Sequence, residues 1–329
     1  MGARLPHAYP ERVMDQDSLD EHPLTFLVGP TASGKSDFAP ELARVLGAQI
    51  ASLDSMLVYR GMDIGTAKPG RELRARVPHH LIDLVEPSES YSVSRYVDDA
   101  RDVVQTLRAS GHGTLFVGGT ALYLKALTHG LFRGPEVDQA LRVELERRWT
   151  EEGRDNLFAE LQRVDGPSAA RLHPNDRKRV LRALEVHGQT GRALSDWQRE
   201  WRDGDGRSAG RARRIVALEL SVEELDRRIP LRTRALLDAG WVDEARRIRE
   251  RPGFGVTASA ALGYSDVLEF ADGKISRADC EARVNLRTRQ FARRQRTWLR
   301  QFPEILWIHG HQDEAQAGAL NRAAAHLAC

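Results

Sequence analysis

The chain has 329 residues, 41% hydrophobic and 29% charged, which is more than a small single domain needs and fits one large domain or two linked ones. No stretch has the unbroken apolar length that crosses a bilayer, which excludes a helical membrane protein. Its two cysteines, Cys280 and Cys329, form no CxxC pair, so neither a zinc site nor a disulfide framework is suggested and free thiols in a reducing cytoplasm are expected. The net charge of +2 conceals two basic runs. One is Arg177, Lys178, Arg179 and Arg182. The other is Arg283, Arg287, Arg289, Arg293, Arg294, Arg296 and Arg300, with no acid among them. Such clusters suit a polyanion, or else a solvated helix face.

Residues 1–22 are polar and acidic and lack the basic start and apolar run of a secretory signal, so they are expected to be a disordered tail. Leu24 to Val28 is predicted to be a buried strand ending at Gly29. Ser36 to Leu46 has helical periodicity, with Gly47 closing it. Gln49 to Leu53 is a second strand, Val93 to Ser110 a helix stopped by Gly111, and Thr114 to Val117 a third strand ending at Gly118-Gly119. This alternation predicts a parallel sheet with helices on both faces. From Asp138 to Gln198 the pattern is helical throughout, with breaks expected at Gly153, Gly166-Pro167, Pro174 and Gly188. Arg202 to Arg213 is rich in Gly, Asp and Arg and is expected to be a linker or exposed loop. Arg214 to Leu220 is strand-like, and a helix is predicted from Val222 to about Ala239. A helical insertion, residues 129–210, is thus expected within an α/β core made of residues 23–128 and 211–329.

Gly29-Pro30-Thr31-Ala32-Ser33-Gly34-Lys35-Ser36 is G-x-x-x-x-G-K-S between a predicted strand and a predicted helix, the setting a phosphate loop requires. Its glycines let the backbone amides turn inward, and the helix N-terminus adds partial positive charge. Lys35 brings a full charge to phosphate, and the Ser36 hydroxyl can ligate Mg²⁺. A nucleoside triphosphatase also needs an acid at the end of a later strand, but the strand from Thr114 ends in Gly118-Gly119-Thr120, which counts against an ATPase motor or GTPase switch. Asp54 follows the second strand, at the sheet edge where ligands bind in open α/β folds. A site carboxylate and a simple turn former are both open there. His79, His80 and Asp83 are poor candidates for one metal site, because adjacent side chains in an extended segment point apart.

Leu53-Asp54-Ser55-Met56-Leu57-Val58-Tyr59-Arg60-Gly61-Met62-Asp63-Ile64-Gly65-Thr66-Ala67-Lys68-Pro69 closely resembles the segment after the phosphate loop in tRNA dimethylallyltransferases, also called tRNA isopentenyltransferases. Pro78 to Asp83, Val117 to Tyr123, His173 to Asp176, Arg179 to Val186, Gly263-Tyr264 and Thr288 to Arg300 extend the resemblance over about Leu24 to Ile308. The chain ends without a C-terminal zinc finger, as in the bacterial form. Ala260 and Ser265 depart from the pattern, standing where relatives carry basic residues.

The resemblance implies a P-loop NTPase-like fold and transfer of a dimethylallyl group from dimethylallyl diphosphate to N6 of the tRNA adenosine immediately 3′ of the anticodon, position 37. It implies a cytoplasmic, monomeric enzyme using Mg²⁺ held through Ser36. It makes Asp54 the general base and places Thr120 and Arg142 near the reacting centre. Residues Gly29 to Ser36 would hold the diphosphate. Asp54, Ser55, Met56 and Leu57, then Lys178, Arg179, Val180, Leu181 and Arg182, then Ala260, Ala261, Leu262, Gly263, Tyr264 and Ser265 would contact the tRNA anticodon stem-loop. Arg228 and Arg232, one turn apart, add charge near the diphosphate or face solvent. Two other functions fit the residues alone: a P-loop small-molecule kinase, and a non-catalytic RNA-binding protein with a degenerate loop.

Overall fold

The computed structural model describes residues 23–130, 135, 138–204, 213–309 and 315–328. The expected tail, residues 205–212 of the expected linker and Cys329 lie outside them. Contacts divide the chain into two compact units, Met1–Thr128 with Arg211–Cys329, and His129–Gly210.

In the first unit β1 (Leu24–Val28), α1 (Lys35–Val45), β2 (Ala48–Leu53), α2 (Arg71–Arg76), β3 (His79–His80), α3 (Val93–Ala109), β4 (Gly113–Gly118) and α4 (Ala121–His129) come first. After the second unit follow β5 (Arg213–Glu219), α10 (Val222–Asp238), α11 (Trp241–Glu250), α12 (Tyr264–Ala271), α13 (Arg277–Leu299), β6 (Ile305–His309) and α14 (Ala315–Ala328). Intervening α5 to α9 are Gln139–Glu151, Arg154–Val164, Gly166–Ala169, Arg177–Thr190 and Leu194–Gly204.

The six strands form one parallel sheet in the order β3-β2-β4-β1-β5-β6. The path from β1 to β2 runs one way across the sheet and the path from β2 to β4 runs back. Right-handed crossovers therefore place α1 and α3 on opposite faces. On the α1 face Leu27, Ile50, Leu115, Val216 and Leu218 pack with Phe38 and Leu42 of α1 and Ala319, Ala323 and Leu327 of α14. Phe26 and Phe116, in register on β1 and β4, stack at 5.2 Å. Their burial on adjacent strands supplies part of the apolar drive that holds the sheet.

Register places the site. Val28 is level with Gly118 and Ala217, and Gly118 is level with Leu53. The turns that follow β1, β2 and β4 therefore begin at one carboxyl edge. β6 and the two-residue β3 were not predicted as strands. Both are sheet edges, and β3 is too short for any periodic signal.

The helical unit has its own core of Leu145, Leu157, Leu161, Val180, Leu181 and Leu184. The break expected at Gly188 does not occur: α8 continues to Thr190 and stops at Gly191, φ 69°. A Cβ at Gly188 would lie 3.1 Å from Leu141 Cδ2, so this glycine serves close packing of α8 on α5 rather than termination.

Candidate active site

The phosphate loop joins β1 to α1. Gly34 takes the left-handed conformation, φ 87°, and no side chain caps α1. The first amides of the helix lack acceptors in their own helix and are available to an anion. Lys35 Nζ donates to Gly29 O at 2.8 Å, Pro30 O at 2.7 Å and Ser33 Oγ at 3.3 Å. Burial, and secondarily the Arg232 charge, lower its pKa from 10.5 to about 7. That is the cost of keeping an ammonium out of bulk water beside another cation. Arg232 Nη1 donates to Thr31 Oγ1 at 3.1 Å, and burial lowers its pKa too. Arg228, one turn earlier, is paired with Glu224 at 2.6 Å. Of the two expected arginines, the structure thus ties Arg232 directly to the loop.

Asp54 opens the turn after β2. Its Oδ1 accepts from the Met56 amide at 2.8 Å, while no hydrogen bond to Oδ2 is found among the described residues. One oxygen thus makes the turn, as a turn former would, and the other is uncommitted among the described residues. Thr120 lies at the start of α4. Its amide donates to Leu53 O at 3.1 Å, and its Oγ1 accepts from the Ser55 amide at 3.1 Å. Thr120 thus ties the end of β4 to the Asp54 turn.

Two cavities meet at these residues. The first, of about 610 Å³, is lined by the phosphate loop from Thr31 to Asp37, by Asp54, Gly118 and Gly119, and by Arg227, Arg228 and Gln295. The second, of about 720 Å³, is lined by Asp54 to Met56, Thr120, Trp241, Ala260 to Ser265, Arg287 and Arg294. Thr31, Asp54, Thr66, Arg232 and Phe291 line both. The cavity at the phosphate loop thus shares a wall with a larger one, and a carboxylate and an arginine stand in that wall.

The second cavity is braced from behind. Glu244 of α11, 2% exposed, accepts from the amides of Asp63, Ile64 and Gly65 at 2.8, 2.6 and 2.9 Å and from Tyr264 Oη at 2.7 Å. Lys68 reaches Asp63 at 2.7 Å and Asp83 at 2.6 Å, and Asp83 also takes Arg74 at 2.8 Å. Asp83 is therefore an ion-pair partner. His79 Nδ1 and His80 Nε2 meet Val77 O and Gln49 Oε1, each at 2.7 Å.

Two of the expected tRNA contacts need correction. Val180 and Leu181 are fully buried in the helical unit's core, because they occupy the inward stripe of α8, and they present no surface to RNA. Ala261 and Tyr264 are 6% and 2% exposed and form the back of the second cavity. Arg182 is held by buried Glu185 at 3.1 Å and by Pro135 O at 2.8 Å. Arg142, expected near the reacting centre, lies in the helical unit with its Nη1 on Glu185 at 2.8 Å. Arg179 pairs with Asp176 at 3.1 Å and Arg177 with Glu146, whereas Lys178 has no ion pair among the described residues. The arginines of α13, and Arg300 just past its end, likewise find acids on other elements: Arg283 on Glu269, Arg287 on Asp266, Arg289 on Asp226, and Arg296 and Arg300 on Glu219. Arg293 and Arg294 remain without an ion pair among the described residues. Sequence reasoning missed Gln295, Glu244 and Phe291 as site residues. The one available signal was an uncharged Gln295 inside an arginine-rich helix.

A parallel sheet with this strand order, a phosphate loop after its first strand and helices on both faces defines a P-loop NTPase-like α/β protein. The IPP transferase family model matches residues 57–302. The tRNA dimethylallyltransferase of Cupriavidus necator is 46% identical over 298 residues, covering 89% of this chain and 92% of that one. A solved tRNA isopentenylpyrophosphate transferase from Bacillus halodurans is 32% identical with TM-score 0.64, covering 92% and 98% of the two chains. A eukaryotic dimethylallyltransferase solved acting on tRNA is 25% identical with TM-score 0.76, covering 92% and 77%. The chain belongs to the IPP transferase family, a family of tRNA-modifying prenyltransferases, and these likenesses give no support to a small-molecule kinase. No helix among the described residues is long and apolar enough to cross a membrane.

Proposed function

We propose that this chain transfers the dimethylallyl group of dimethylallyl diphosphate to N6 of adenosine 37 of tRNA, in the cytoplasm. The supporting observation is the shared wall, where Asp54 and Arg232 stand between the phosphate-loop cavity and the second cavity. The diphosphate occupies the first cavity, cradled by the loop Gly29 to Ser36 through the amides of residues 34–36, by Lys35 and by Arg232. The carbon–oxygen bond breaks with its electron pair leaving on the diphosphate, and the adenine N6 lone pair forms the new bond to the allylic carbon. The uncommitted Asp54 oxygen takes the N6 proton, so the products are N6-(dimethylallyl)adenosine and diphosphate. Thr120 acts by keeping the Asp54 turn beside β4.

Ser36 lines the first cavity, is exposed and has no hydrogen-bond partner among the described residues, and Asp37 lies beside it. These hard oxygen donors fit Mg²⁺, with Ser36 as its protein ligand. Bound Mg²⁺ would neutralise charge developing on the leaving diphosphate. The adenine enters the second cavity only after leaving the anticodon-loop stack. Residues 54–56 and 260–265 line that cavity, Leu57 lines the first, and exposed Lys178 and Arg179 of the helical unit contact the stem-loop backbone. Incubation with unmodified tRNA and labelled dimethylallyl diphosphate tests the function. Label in the RNA is expected, and ATP turnover with no label in RNA would overturn it.

A further inference from the structure

Gln295 lies on α13, far along the chain from every residue of the phosphate loop, and is 7% exposed. Its Oε1 accepts from the Thr31 amide at 2.8 Å, and its Nε2 donates to Gly119 O at 2.9 Å. One amide therefore satisfies a donor of the phosphate loop and an acceptor at the end of β4, next to Thr120. Gly119 is shaped to this contact: a Cβ there would lie 2.2 Å from Gln295 Nε2 and 3.0 Å from Gly29 O. The two joined turns do different work. Thr31 belongs to the loop that holds the diphosphate. Gly119-Thr120 is tied to the Asp54 turn through the Leu53 and Ser55 bonds.

We propose that Gln295 is a positioning residue that sets the spacing between the donor-holding loop and the Asp54 turn, and so the approach of N6 to the allylic carbon. The inference rests on the functional proposal above. Only a neutral amide does this unaided. Thr31 needs an acceptor and Gly119 needs a donor, and a carboxylate offers acceptors at both ends. A protonated carboxyl group again has one of each.

The test compares wild type, Gln295→Met and Gln295→Glu in single-turnover transfer with saturating tRNA and dimethylallyl diphosphate, between pH 6 and 9. Melting temperature and affinity for inorganic diphosphate are recorded for each. Misplacement by about 1 Å costs on the order of a hundredfold, so Gln295→Met should transfer about 10- to 100-fold more slowly, with diphosphate affinity changed by less than about threefold. For Gln295→Glu the rate relative to wild type should climb as pH falls, since protonation restores the donor to Gly119. Loss of proton acceptance by Asp54 affects both proteins and cancels in that ratio. A Gln295→Met rate within threefold of wild type, with only the melting temperature lowered, would overturn the proposal. So would a pH-independent Gln295→Glu ratio, which remains decisive if Gln295→Met fails to fold. Wild-type protein that leaves tRNA unlabelled would instead overturn the functional proposal, and the positioning role with it.

Discussion

The two carboxylate oxygens of Asp54 are not equivalent, since Oδ1 holds the Met56 amide at 2.8 Å and Oδ2 is uncommitted. Asp54→Asn keeps an acceptor for Met56 but removes the proton acceptor. Single-turnover transfer should slow about 10²- to 10⁴-fold, with the melting temperature and diphosphate affinity unchanged. A near wild-type rate would leave Asp54 as a turn former only. Lys35 supplies a second prediction at this scale. With its pKa lowered to about 7, it is largely neutral at pH 8, and an arriving diphosphate favours its charged form. Binding of inorganic diphosphate at pH 8 should therefore take up about one more proton in wild type than in Lys35→Met, a difference that shrinks below pH 7. Calorimetry in buffers of different ionisation enthalpy measures this, and equal uptake by both proteins would refute it. The same sign governs folding. A lysine depressed from 10.5 destabilises the fold fully below pH 7, and that penalty fades as pH rises toward 10.5.

Helix α8 separates two kinds of basic residue that its sequence does not distinguish. Lys178 and Arg179 are exposed, whereas Arg182 reaches Glu185, which is fully buried. Replacing Lys178 and Arg179 with Ala should leave the melting temperature unchanged. It should also lower the log–log salt slope of tRNA binding by up to about 0.9 per lost phosphate contact. Arg182→Ala should instead destabilise the protein by about 1–3 kcal/mol in denaturant titrations, because Glu185 loses one of its two arginines. Helix α11 carries a larger effect. Glu244→Ala leaves three amides and the Tyr264 hydroxyl without their acceptor, and about 2–5 kcal/mol of stability should be lost. A loss under 1 kcal/mol would mean that water replaces Glu244. These differences mark what was legible in the sequence. The phosphate loop and Asp54 could be found because their chemistry is local, a fixed spacing after a strand. The Gln295 bridge and the Glu244 clasp join segments far apart along the chain, so no local pattern announces them. The inward stripe of α8 was obscured for a related reason: its arginines suggested RNA, while the apolar Val180 and Leu181 between them carried the packing.

At the scale of the whole molecule, the sheet is assembled from two separated stretches of chain. Residues before the helical unit provide β3, β2, β4 and β1, and residues after it provide β5 and β6. The strand that carries the phosphate loop, Leu24–Val28, therefore gains its β5 neighbour only after the helical unit has been made. On the ribosome, at about 5–20 residues per second, β1 spends on the order of 10 s as an apolar edge with unpaired amides and carbonyls. The helical unit has an apolar core of its own and can fold in that interval, while the half-sheet is the vulnerable species. Nascent chains arrested before residue 213 emerges should be cut by protease near β1 or be held by chaperones. Chains arrested after β6 has cleared the exit tunnel should resist cutting there. Equal protection at both stages would show that the half-sheet closes its own edge before β5 arrives.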